Sequence, residues 1–124
     1  MEEIHTDNAP AAIGPYSQGM IDGDRIFVSG QGPVEPQTGD IVSQDIKEQT
    51  ARTIENVEAV LEAADSSLED IVKTTVFVTD MTNYAAINEV YAEYMSEPFP
   101  ARSAVEVAAL PIDIGVEIEV IATR

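Results

Sequence analysis

The chain has 124 residues, 44% of them hydrophobic, with 6 lysines and arginines against 23 acidic side chains, a formal net charge of −17 and no cysteine. That length supports one domain, 1–124, with a core of its own. The composition excludes disulfides, thiolate nucleophiles and zinc-thiolate sites, no apolar run is long enough to span a membrane, and the charge repels nucleic acid.

The opening Met1-Glu-Glu-Ile-His5 is acidic where a signal peptide would be basic, so a cytoplasmic protein is expected. Residues up to Pro10 read as an irregular polar arm. His5, the only histidine, lies in that arm without a partner for metal binding, and no metal site is expected. The carboxylates are spread along the chain and point to solvent. The screening length shrinks from ~10 Å at 0.1 M salt to ~3 Å at 1 M, so a salt-rich, halophilic cell is the simplest setting for such a surface.

Ala11-Ala-Ile-Gly-Pro-Tyr-Ser-Gln-Gly-Met20 leads into a first strand, and Asp22-Gly23-Asp24 is a tight turn into Arg25-Ile-Phe-Val-Ser-Gly30, a hairpin. Gly30-Gln-Gly-Pro33 has some glycines of a phosphate loop, but no helix follows at once, which rejects a nucleotide site. Pro36-Gln-Thr-Gly39 is a second turn, with Asp40-Ile-Val42 a short returning strand. From about Asp45 to Ala64, the residues Ile46, Ile54, Val57, Val60, Leu61 and Ala64 have the spacing of a helix with one buried face.

Asp65-Ser-Ser67 ends that helix, and the β-branched run Ile71-Val-Lys-Thr-Thr-Val-Phe-Val78 is the strongest strand. Its two sides, Ile71/Thr75/Phe77 and Val72/Val76/Val78, are both largely apolar, so cover is expected on both. A second helix runs from about Asn83 to Met95, its stripe of Tyr84, Ile87, Tyr91, Tyr94 and Met95 reading as core or interface. Prolines at 98 and 100 forbid helix, and the next strand starts after them with Arg102, Ala104 and Glu106 on one side and Ser103, Val105 and Val107 on the other. A loop at Leu110-Pro-Ile-Asp-Ile-Gly115 precedes the last strand, Val116-Glu-Ile-Glu-Val-Ile-Ala122. This order predicts an α+β fold, a single mixed β-sheet with two helices on one face. The bare face is too apolar for a soluble monomer, and self-association should cover it.

Arg102 stands out among few cations because Ala101, Ser103 and Ala104 leave room beside it for a ligand. On the residues alone, the plainer reading carries more weight: an exposed strand arginine paired with Glu106. Glu117 and Glu119 share a strand face and read equally as solvated carboxylates.

Pro10-Ala-Ala-Ile-Gly-Pro-Tyr16, Phe27-Val-Ser-Gly-Gln31, Asn56-Val57, Val72-Lys-Thr-Thr-Val-Phe-Val78, Pro100-Ala-Arg-Ser103 and Glu117-Ile-Glu119 together resemble the YjgF/RidA family over nearly the whole chain. The resemblance implies a chorismate-mutase-like homotrimer with a central barrel and clefts between subunits. It also implies cofactor-independent deamination of 2-iminobutanoate and 2-iminopropanoate to 2-keto acids and ammonia. By position it makes Arg102 the residue that binds the substrate carboxylate and Glu117 the one that positions water, with Tyr16, Ser29, Gly30 and Asn88 similar to cleft-lining residues. Many deaminating members carry cysteine two positions after the arginine, where this chain has Ala104. The rival reading is a non-catalytic or chaperone-like trimer that binds small carboxylates.

Overall fold

In the computed structural model, which describes residues 1–124, six strands form one mixed sheet. They are β1 (Glu2–Ile4), β2 (Gly19–Asp22), β3 (Arg25–Gln31), β4 (Ile71–Val78), β5 (Ala101–Glu106) and β6 (Val116–Thr123), in the order β1-β2-β3-β6-β4-β5. All neighbours are antiparallel except β4 and β5, which are parallel. A parallel pair needs a crossover, and helix α2 (Tyr84–Tyr94) supplies it, while α1 (Ile46–Glu62) connects β3 to β4.

Helix α1 begins where Asp45 accepts a hydrogen bond from the Glu48 amide at 3.0 Å, and it buries Ile54, Val57, Val60 and Leu61. It ends as predicted. Asp65 takes a left-handed φ of 59°, and the Ser66 hydroxyl then donates to the Thr123 carbonyl at 2.7 Å, tying the turn to the end of β6. The helices pack on Ile26 and Val28 of β3, Val76 and Val78 of β4, and Val116, Ile118 and Val120 of β6, one contiguous core. The opposite face of the sheet keeps Phe27, Val72 and Val105 exposed beside half-buried Phe77 and Ile121.

Three expectations need correction. The opening arm is not irregular throughout: Glu2–Ile4 pairs with β2, because Ile4 is an apolar anchor only 4% exposed. Gly19 opposite makes room, since a Cβ there would stand 2.9 Å from the Ile4 Cδ1. The returning strand at Asp40–Val42 shrinks to a single bridge between Val34 and Ile41. On β4, a register shift between Ile71 and Lys73 breaks strict alternation, so Ile71 joins the buried row and Val72, expected beside Val76 and Val78, is 47% exposed.

Candidate active site

Arg102 lies on β5 beside Thr74 of β4, on the helix-covered side of the sheet. Its guanidinium stacks over the Tyr91 ring at 4.7 Å from the centroid and lies 5.5 Å from that of Tyr84. Its Nη2 donates to the Tyr84 hydroxyl at 2.7 Å, and the Tyr91 hydroxyl is itself held by the Thr74 Oγ1 at 2.9 Å. Tyr84, Asn88 and Tyr91 fall on one stripe of α2 by the four- and three-residue spacing of a helix. Asn88 is thus placed between the two rings that hold Arg102.

The pairing of Arg102 with Glu106 does not form. Glu106 instead accepts from the Met81 amide at 2.7 Å, at the 3₁₀ turn that leads into α2. The ion pairs of the chain are Lys47 with Glu89 and Arg52 with Glu55. Arg102 therefore presents a charged fork of N–H donors, held by two aromatic rings, with no carboxylate of its own chain to receive it.

Glu117 lies on β6 directly opposite Phe77 of β4, on the open face of the sheet. It is half-buried, and burial raises its pKa above the ordinary carboxylate value, with a further push from the charge of Glu119. Gly30 lies directly against it, where a Cβ would come within 2.5 Å of Oε2. The loop after Gly30 is pinned from behind by buried Asn56, whose Nδ2 donates to the carbonyls of Gly32 and Val34 at 2.9 Å each. Ser29 donates to the Ser17 carbonyl at 2.6 Å. Ser29 and Tyr16 line an open depression of about 520 Å³ together with Phe27, Glu119 and Ile121.

The six residues singled out in the sequence thus fall into two groups. Arg102 and Asn88 belong to the helix side near the β5 edge, while Tyr16, Ser29, Gly30 and Glu117 belong to the open side. Within one chain Arg102 and Glu117 do not meet. No group of three or more His, Cys, Asp or Glu side chains is arranged to hold a metal ion. The sequence reading missed the roles of Tyr84 and Tyr91 beside Arg102. Their seven-residue separation on the helix just before the arginine strand is the signal available in the sequence, and it is indistinguishable there from an ordinary core stripe.

Residues 6–124 match the family described as Endoribonuclease L-PSP. The chain is 54% identical to a RutC family protein of Pyrococcus horikoshii, over 99% of this chain and 98% of that one. It is 52% identical to the 2-iminobutanoate/2-iminopropanoate deaminase of Salmonella typhimurium, over 98% of this chain and 96% of that one. The crystal structure of Escherichia coli TdcF with bound serine superposes with a TM-score of 0.95 at 47% identity, covering 100% of this chain and 99% of that chain.

Proposed function

Since the chain belongs to the RidA/YjgF/L-PSP family, we infer that it is an imine deaminase, hydrolysing 2-iminobutanoate and 2-iminopropanoate to 2-keto acids and ammonia. The observation that carries the reading is Arg102: a guanidinium stacked on Tyr91, hydrogen-bonded to Tyr84, and free of any carboxylate from its own chain. A planar substrate carboxylate fits such a fork through two parallel charge-assisted bonds, each worth about 1.5–3 kcal/mol. Serine bound to the similar TdcF is a small molecule with a carboxylate of that kind.

The chemistry asks little more. The protonated imine carbon is already electrophilic, so a positioned water adds its oxygen to that carbon while Glu117 takes its proton. Glu117 then returns the proton to the nitrogen of the resulting carbinolamine. The carbon–nitrogen bond breaks as the hydroxyl oxygen forms the new carbonyl and passes its remaining proton to the departing ammonia, leaving a 2-keto acid and ammonium. A carboxylate whose pKa is raised by burial is better suited to both transfers than one fully in water.

The site is completed in a homotrimer, with the open face of one subunit, bearing Glu117, Gly30, Ser29 and Tyr16, set against the β5 edge of the next, bearing Arg102 and Asn88. Two observations support this: the division of these residues between opposite sides of the sheet, and the exposed Phe27, Val72 and Val105 on the open face. The proposed setting is a salt-rich cytoplasm, in keeping with the net charge of −17. The same charge disfavours RNA cleavage, since RNA binding draws on phosphate neutralisation.

The direct test is ammonia release from freshly generated 2-iminopropanoate and 2-iminobutanoate in high salt. Turnover well above the spontaneous rate is expected. Arg102-dependent binding of 2-keto acids without any turnover would select the non-catalytic carboxylate-binding role instead.

A further inference from the structure

Nη2 of an arginine belongs to both edges from which a guanidinium can offer two parallel donors: the end formed by Nη1 and Nη2, and the side formed by Nε and Nη2. In this protein one Nη2 hydrogen is engaged by the Tyr84 hydroxyl at 2.7 Å. Whichever hydrogen that is, one two-donor edge stays complete and the other is spoiled. The guanidinium carbon also lies over the ring of Tyr91, 4.7 Å from its centroid, and the Tyr91 hydroxyl is anchored by Thr74, so the group is held from a second side. We propose that Tyr84 is a positioning residue that selects the single edge of Arg102 open to the substrate carboxylate, and so sets the direction in which the imine carbon points. The inference rests on the reading of Arg102 as the carboxylate anchor.

The two tyrosines divide the work. Tyr91 is buried and bonded to Thr74, a structural wall, while Tyr84 is 38% exposed and its hydroxyl is hydrogen-bonded to Arg102 alone. Losing the Tyr84 hydroxyl leaves the charge and the stacking in place but opens both edges. Substrate then binds as before in more than one orientation, and only one of these presents the imine carbon to the water. Misplacement of this size acts on turnover more than on affinity.

The test is Tyr84→Phe, made alone and together with Arg102→Ala, with kcat, KM and the Kd of 2-oxobutanoate measured for each. Tyr84→Phe should lower kcat about fivefold or more while the Kd stays within about twofold of wild type. In the Arg102→Ala background the same change should have no further effect on kcat/KM, because its only route to the reaction is the guanidinium. Unchanged kcat in Tyr84→Phe, or an equal loss with and without Arg102, would overturn the inference. Wild-type 2-oxobutanoate binding by Arg102→Ala would instead overturn the reading of Arg102 beneath it.

Discussion

The Glu117 carboxyl rests against the backbone of Gly30, so closely that a Cβ at position 30 would stand 2.5 Å from Oε2 and 2.8 Å from the carboxyl carbon. The glycine is therefore a seat for the carboxylate. Its φ is not in the left-handed region, so the requirement for glycine comes from the close approach and not from backbone conformation.

Gly30→Ala should consequently fold, because the atoms in the way belong to the far end of a flexible side chain, yet it must push the Glu117 carboxyl off its seat. A loss of about tenfold or more in kcat is expected, with little change in melting temperature. Steady-state kinetics beside a thermal melt would check both parts, and wild-type turnover would remove Glu117 from the mechanism.

Arg102→Ala and Glu117→Gln should each lose about 10²-fold or more in kcat/KM, the first with loss of 2-oxobutanoate binding and the second without it. Glu106→Gln, which can still accept from the Met81 amide, is the control and should stay active. If each site draws its arginine and glutamate from different subunits, co-refolding the two inactive variants in equal amounts should restore activity to about a quarter of the sites, the statistical share in mixed trimers. Failure of the mixture to regain any activity, with mixed trimers present by native mass spectrometry, would place both groups of a site in one subunit.

The raised pKa of Glu117 sets the sign of two pH effects. With Glu117 as the proposed base, turnover would need its carboxylate, so kcat should fall as pH drops through a value above the ordinary glutamate range. For stability, a carboxyl whose pKa is raised on folding favours the folded state in its protonated form. The resulting penalty is absent below the unfolded pKa, grows as pH rises to the folded pKa and is constant beyond it. Glu117→Gln should therefore raise the melting temperature at neutral pH and leave it unchanged at pH ~4 or below. An equal shift at both pH values would mean that the gain does not come from ionisation.

With a net charge of −17 on 124 residues, mutual repulsion should weaken the fold as screening falls. The melting temperature should rise by roughly ten degrees or more between 0.1 M and 2 M potassium chloride. Identical melts at both concentrations would reject the salt-adapted reading.

The sequence by itself determined the elements whose signal is local. The β-branched run of β4 and the apolar spacing of α1 and α2 carry their own periodicities, and the observed bounds agree to within one or two residues. The Pro100-Ala-Arg-Ser103 and Glu117-Ile-Glu119 segments also singled out Arg102 and Glu117, the pair proposed here to carry the reaction, through family resemblance and not through their chemistry. Tertiary structure alone decided the rest, because each remaining point depends on a partner distant in the chain. Ile4 makes a strand of a polar arm only because Gly19 opposite it lacks a Cβ, and the extra residue at Val72 is visible only against the register of β6. Arg102 loses its expected partner because Glu106 is drawn to the Met81 amide, and it finds Tyr84 and Tyr91 because the α2 crossover lays that helix over β5. Glu117 differs from an ordinary strand carboxylate because the β3–β6 pairing brings Gly30 against it, half-burying the acid on a face that an isolated chain leaves open.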